Sequence, residues 1–365
     1  MLRRMGSGLA APLLAVLLAL GITCLILIAT GDSPADFLDV ITTSPKPRNY
    51  TNILNNASVL YLSALAAAIG FRMNLFNIGV EGQYRVAAFA AAVVSAWTWL
   101  PGPLAIVVGM LVAMICGALW AAIPAILKVT RGVSEVISTI MLNAIAASLV
   151  GFLLREWGIR NGNHLATKEL GADVRVPGVH LIDSAPNELF GLSLLAIAGG
   201  AIYWILLNFT RFGFALRATG RSTTAAAAAG INVKRMVLVS MLLSGATAGL
   251  IGLPLLFGQD YSYGTTFQEG IGYSGIAVAL LGRNHPIGMG IGALLFSGLS
   301  EQANKLEITA GISPHIVEVT TGVMVLSVVI AYEVVRRVNA VGEQKRVAAQ
   351  LARGQQVSDR AAAAT

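Results

Sequence analysis

The sequence predicts an all-α polytopic membrane protein of about ten transmembrane helices, with both termini cytoplasmic. Three observations carry that prediction. Of the 365 residues, 56% are hydrophobic and only 12% are charged, about half the ~25% charged that is usual in a soluble domain. Mean hydropathy is +0.73, more apolar surface than one or two soluble cores can bury. The apolar residues also gather into runs near the ~20 residues that a membrane helix needs. Disorder, a disulfide scaffold and a nucleic-acid-binding domain are thereby excluded, and no nucleic-acid partner is expected.

The runs fall approximately at 8–30, 52–70, 80–100, 103–127, 133–154, 189–209, 236–257, 271–282, 287–303 and 311–332. The first follows Arg3 and Arg4. Its uncharged stretch from Met5 to Gly31 is too long for the core of a signal peptide and precedes no small-residue cleavage site, so it reads as a retained span. The eighth is short. With the N-terminus inside, 17 of the 25 Lys and Arg lie in inside segments, 7 lie outside, and Arg85 sits within a span. That asymmetry places both ends in the cytoplasm. Residues 1–337 then form one transmembrane domain. Segments 31–51 and 155–188 face outward, the second polar enough to read as a structured external loop. Segment 210–235 faces inward, and 338–365 is a polar cytoplasmic tail expected to be disordered. Cys24 and Cys116 lie in apolar runs and read as packing residues. The four histidines show no ligand spacing, so no metal site is expected.

Three segments carry polar groups where apolar ones are expected. Between the second and third spans, Asn77-Ile78-Gly79-Val80-Glu81-Gly82-Gln83 brings Asn77, Glu81 and Gln83 to membrane depth. A carboxylate there costs about 2.5–3.5 kcal/mol. The two glycines permit a broken helix, which is tolerated only where protein or water covers the backbone. The segment is either a pathway-lining element or a helix cap with Glu81 among the headgroups. In the other half, Gln268, Glu269, Gly270 and Gly272 repeat the combination beside the eighth span. The two segments enter from opposite sides, as an inverted repeat matching spans 2–5 to spans 7–10 would require. At the fifth span, Glu135, Ser138, Thr139 and Asn143 share one helical face. Such a stripe lines a cavity or joins helices, and Glu135 alternatively sits in the headgroup layer.

Gly270-Ile271-Gly272-Tyr273-Ser274-Gly275 fits G-x-G-x-x-G, but no strand precedes it, and it reads as glycine richness. On the inside, Ser222 is a good N-cap, five alanines follow from Ala225, and Gly230 supplies a left-handed stop with Ile231 behind it. This short, small-sided helix, with Arg217 and Arg221 flanking its start, suits docking in a partner's groove. Gly245-Ala246-Thr247-Ala248-Gly249 and Gly288-Met289-Gly290-Ile291-Gly292 read as close helix contacts. No G-x-x-x-x-G-K-[ST], H-E-x-x-H or G-x-S-x-G occurs.

These motifs resemble those of the permease subunits of bacterial ABC importers in the branched-chain amino acid/simple-sugar/nucleoside group. The matching pieces are residues 77–83, Ser134 to Asn143, Arg217-Ala218-Thr219-Gly220 through Ala229-Gly230-Ile231, and Gly275 to Asn284. Together they cover most of 55–335, and the run Ser134 to Asn143 is similar to the nucleoside-type branch. The resemblance implies a ten-helix permease in the bacterial plasma membrane, paired with a second permease subunit in a heterodimer. It also implies cytoplasmic ATPase subunits beneath and an extracytoplasmic substrate-binding lipoprotein above. No cofactor would be bound by this chain, and ATP would act through the ATPase partner. Residues 217–231 would be the coupling helix, with Arg217, Gly220, Arg221, Ser222 and Gly230 at the ATPase. Arg221-Ser222-Thr223-Thr224 departs from the acidic or Asn-Pro-Glu stretch often found after the glycine.

The sequence thus points to a permease, not an enzyme, forming the translocation path for nucleosides, purine nucleosides in particular. The path would be lined by Asn77, Glu81, Gln83, Glu135, Asn143, Gln268 and Glu269, among which the uncharged polar groups and amides suit a neutral ligand with sugar hydroxyls. Alternatives are a monosaccharide ABC importer permease and an ion-coupled secondary carrier, which would favour carboxylates in mid-span. A membrane enzyme acting on lipid-linked substrates would need convergent acid, base or metal groups.

Overall fold

The computed structural model describes residues 2–97, 100–161 and 164–324, together with 326–327, 330–331, 334 and 337, with side chains from Leu14 onward except Asn161 and Asn304. The tail at 338–365 lies outside the described residues. A helix occupies each of the ten apolar runs. Five helical stretches are long and apolar enough to cross a membrane by length and composition: Pro47–Phe71, Gly102–Arg131, Glu135–Trp157, Gly191–Phe209 and Val233–Asp260.

The chain forms two compact units. The first joins the N-terminal residues to those after Leu306. Its helix α1 (Leu2–Thr30) buries Ala15, Ala19, Thr23 and Leu27, a stripe with period four. Thr23 Oγ1 donates to Thr320 Oγ1 at 3.1 Å, which ties α1 to a helix over 315–324. The segment between the first two spans is not a plain loop, because Pro34–Thr42 forms the short helix α2.

The second unit, Asp39–Lys305, contains the polar segments. Its centre is α3 (Pro47–Phe71), in which every residue from Leu62 to Gly70 is buried. It packs on α7 (Leu194–Phe209), α10 (Val233–Gly249) and α12 (Ile271–Leu281). A second layer sets α5 (Gly102–Arg131) against α10 and against α4 (Val80–Trp97), while α6 (Glu135–Trp157) lies on α4. The α5 contact is made of small residues. Ala105, Gly109, Ala113, Gly117, Ala121 and Ala125 recur every four positions and all are buried. A methyl group added at Gly117 would strike the Gly245 carbonyl, and one at Gly249 the Ala113 carbonyl, so backbone lies against backbone. This close approach replaces hydrophobic burial as the source of association in lipid. The Gly245-x-x-x-Gly249 reading is therefore correct in location and kind.

Past Gly249 the chain bends through α11 (Leu253–Leu255) and a π-helical turn at Leu256–Asp260. This turn and the loop after it are held by the described residues of 155–188, among them Leu165, Thr167, Leu170 and Val176. Strands β1 (Ile159–Asn161) and β2 (His164–Ala166) form a hairpin. Thr265 N–H donates to Leu165 O at 3.0 Å and Thr167 N–H to Tyr263 O at 2.8 Å. Helix α12 then has only eleven residues, a rise of about 16 Å, half of the ~30 Å hydrocarbon core. It turns at Gly282 into α13 (Pro286–Ala310), where Gly288 packs on the Gly282 backbone.

If close backbone contact holds α5 to α10, Gly245→Val should cost about 1–3 kcal/mol, the range for overpacking. A lowered melting temperature of the detergent-solubilised protein is the readout. Val239→Ala, at a half-buried position of the same helix, should change it far less.

Candidate functional site

After α3, Asn74 takes a left-handed φ of 60° and turns the chain back on itself, a conformation that asparagine accepts with little strain. The returning residues bury Asn77. Its Oδ1 accepts from Gly79 N–H at 3.0 Å, and its amide pairs reciprocally with that of Gln83, with both contacts at 3.1 Å. Asn77 Nδ2 also donates to Ser244 Oγ at 2.8 Å, and Ser244 in turn donates to the Ala66 carbonyl at 2.6 Å. Asn77 and Gln83 are 0% and 1% exposed. Their amides are partnered by protein, as buried amides must be, and form a closed bridge from α4 to α3 and α10.

Glu81 lies in the first turn of α4 and is 4% exposed. Its Oε1 accepts from Gly270 N–H at 2.9 Å and its Oε2 from Gly272 N–H at 2.8 Å. These are unpaired donors at the start of α12, and the negative charge faces the positive end of that helix. Gly270 caps it with φ 79°. A Cβ at Gly272 would collide with the Glu81 backbone. Ser63 Oγ donates to Ile271 O at 3.0 Å, so α3 holds the other side. The two polar segments therefore meet. One doubles back after α3 and the other begins a half-length helix, and both end inside the protein.

The stripe on α6 joins the same place. Asn143 Oδ1 accepts from Gly82 N–H at 2.9 Å, and its Nδ2 donates to Ile78 O at 2.9 Å and to the Tyr273 hydroxyl at 3.1 Å. Glu135 is buried, ion-paired with Lys128, and receives Phe76 N–H at 3.4 Å. Ser138 and Thr139 donate to carbonyls of their own helix or its cap, Ser134 and Glu135.

Gln268 and Glu269 differ from these, because both are exposed. The Gln268 carbonyl accepts from the Tyr84 hydroxyl at 2.8 Å. Glu269 Oε1 accepts from Arg85 Nη2 at 2.8 Å, with the Glu269 side chain 65% and the Arg85 side chain 18% exposed. Tyr273, 49% exposed, completes an open polar and aromatic patch around the start of α12. Sequence reasoning assigns Arg85 no role and does not single out Tyr273. A lone cation within a span is the available signal, since such a charge needs a partner. Among the described residues, no group of three His, Cys, Asp or Glu could hold a metal ion.

Segment 210–235 holds two helices where the sequence predicts one. α8 (Arg211–Arg221) carries Arg217, Gly220 and Arg221, and only α9 (Thr223–Ala228) follows Ser222. The reason is a second cap. Thr210 Oγ1 accepts from Gly213 N–H at 3.0 Å and starts α8, while Ser222, extended at φ −160°, breaks it and caps α9 through Ala225 N–H at 3.2 Å. Gly230 (φ 81°) ends α9, with Ile231 N–H donating to Ala226 O at 3.0 Å, the stop read from the sequence. Arg217 Nη1 donates to Asn208 Oδ1 at 3.2 Å. Gly220 lies against the backbone of Arg72 and Met73, with no room for a Cβ. Met73 Sδ accepts from Ser240 Oγ at 3.2 Å. The end of α8 thus touches the start of the segment that bears Asn77 and Glu81.

Glu81→Ala should leave the Gly270 and Gly272 amides without acceptors. A loss of about 1.5–3 kcal/mol per charged hydrogen bond is expected to lower the melting temperature of the purified protein more than Glu269→Ala does.

Residues 49–332 match the family model described as branched-chain amino acid transport system / permease component. The chain is 32% identical over 331 residues to the guanosine ABC transporter permease protein NupP of Bacillus subtilis, covering 90% of this chain and 95% of that protein. It is 31% identical to the glucose ABC transporter permease protein TsgB13 of Haloferax volcanii, over 86% of this chain and 85% of the other. A second Bacillus subtilis protein, the guanosine ABC transporter permease protein NupQ, is 29% identical over 71% of this chain and 81% of its own length. With its apolar helices and interrupted spans, this chain belongs to the branched-chain amino acid transport system permease family and is a multi-pass ABC transporter permease of the bacterial plasma membrane.

Proposed function

We propose that this chain is one of two unlike permease subunits of an ATP-driven importer, and that it forms half of a path for nucleosides, purine nucleosides above all. The observation that carries the reading is the open patch of Gln268, Glu269 and Tyr273 around the start of α12, backed by Asn143. An aromatic face beside amide and carboxylate groups suits a flat base with ribose hydroxyls. Asn77, Glu81, Gln83 and Glu135 contribute from behind, by fixing the two interrupted helices that present the patch. The guanosine relatives support this substrate class, and the presence of two in one organism supports a heterodimer. The glucose relative supports the second reading, a monosaccharide importer.

In this account the chain crosses the membrane ten times with both termini cytoplasmic, and α8–α9 faces the ATPase subunits. A substrate-binding lipoprotein delivers cargo to the opposite face. Movement of α9 reaches the path through α8, because Gly220 bears directly on Arg72 and Met73. Alternating access requires such a mechanical link between nucleotide state and gate.

Uptake of labelled guanosine, with unlabelled adenosine, uridine, ribose and glucose as competitors, tests the substrate. Deletion of this chain should abolish uptake, and nucleosides but not the sugars should compete. Guanosine uptake untouched by the deletion, with uptake of labelled glucose lost, would establish the sugar reading instead. Gly220→Leu should leave the assembled complex in the membrane but reduce uptake at least ~10-fold, with ATP hydrolysis no longer stimulated by loaded binding protein. Normal stimulation would remove α8 from the coupling route.

A further inference from the structure

Arg85 is a cation within a predicted span, and its partner Glu269 is mostly exposed. A charge at that depth points to a function by default, with its partner part of the same function. Three features distinguish this pair from an ordinary surface ion pair. Arg85 stands on α4 one turn beyond Glu81, the residue that locks the start of α12, so its position is fixed relative to the open patch. The buried Tyr263 side chain lies beside its guanidinium. Glu269 immediately precedes Gly270, so its carboxylate stands at the edge of the patch that exposes Tyr273. Donor and acceptor are therefore held side by side, 2.8 Å apart, at the start of the helix whose first turn exposes Tyr273.

We infer that Arg85 and Glu269 together read the edge of a guanine base as it passes, and so set the preference of this permease among purine nucleosides. The inference rests on the nucleoside reading above. A guanine presents two acceptors, N7 and O6, followed by two donors, N1–H and the N2 amino group. Arginine is the common partner of O6 and N7, and a carboxylate accepts from N1–H and N2 together, so the pair matches the whole edge. Hypoxanthine, which lacks the N2 amino group, keeps O6, N7 and N1–H and loses one bond to Glu269. Adenine keeps N7 as acceptor and offers its N6 amino group as donor, but its N1 is an acceptor that faces the carboxylate unfavourably. The expected order is guanosine, then inosine, then adenosine. Tyr273 supplies a stacking face that does not discriminate among them. The contact between Arg85 and Glu269 is exchanged for contacts to the base, so the site is neither left with an unpaired charge nor required to bind tightly.

The test is the uptake ratio of guanosine to inosine in cells that carry the complete transporter, with the same binding protein throughout. Wild type should favour guanosine. Glu269→Gln removes one acceptor and adds a donor opposite the N2 amino group. It should reduce the guanosine:inosine ratio roughly tenfold, the worth of one hydrogen bond to a charged group, while inosine uptake falls much less. A merely structural role for Glu269 would lower both together and leave the ratio unchanged, and that result would overturn the inference. Should E269Q carry neither, the guanosine:uridine ratio is read in Arg85→Lys, which loses the planar fork. A fall in that ratio supports the inference and an unchanged ratio overturns it. Wild type that takes up glucose but no nucleoside would refute the nucleoside reading itself, a result distinct from wild type that takes up guanosine with a ratio indifferent to Glu269.

Discussion

The carboxylate of Glu81, receiving the amide protons of Gly270 and Gly272, is the interaction on which the rest of the second unit depends. Interrupting a helix inside a bilayer exposes backbone groups that lipid cannot satisfy, so an interruption survives only where protein supplies the partners. Two interruptions occur here, before α4 and before α12, and they solve the problem for each other. The first turn of one helix carries the anion that caps the other. With that bond in place, an eleven-residue helix ends stably in the protein interior, and its mouth is left open to carry Gln268, Glu269 and Tyr273.

The surroundings are built to hold that junction still. The amides of Asn77 and Gln83 close on each other and on Ser244, and Asn143 ties α6 to both Gly82 and Tyr273. Small residues let backbones approach where side chains would prevent it, at Gly117, Gly245 and Gly249 between α5 and α10 and at Gly275 against Ser63. At the other end, Gly220 places α8 on the backbone of Arg72 and Met73. Close-packed contacts of this kind resist gradual yielding, which is what the proposed coupling through α8 requires.

Much of this is legible in the sequence. Runs of apolar residues mark the helices, and glycines beside Glu and Gln mark both interruptions, because such residues are costly in lipid unless they have a purpose. The alanine helix with its serine cap and glycine stop is legible because caps act over three or four residues. What escapes depends on contacts between distant segments. The span order does not show that residues near 81 and near 270 touch, since contact follows from how far each helix penetrates. Nor does it show that Asn77 and Gln83 are sealed while Gln268 and Glu269 are open, as the same amide suits either environment. The Arg85–Glu269 pair is separated by 184 positions, beyond any local pattern. The Thr210 cap is hidden because it directly follows the apolar helix α7, so α8 reads as loop.

Hydrogen–deuterium exchange at the Gly270 and Gly272 amides of the membrane-reconstituted permease tests the central claim most directly. If Glu81 caps α12, both amides exchange far more slowly than that of Thr266, which is exposed in the preceding loop. Protection should also vanish in Glu81→Ala while the exchange of α5 is unaltered. Exchange of Gly270 and Gly272 at the rate of the open loop in the unaltered protein would contradict the account, because the two interrupted helices would then not meet.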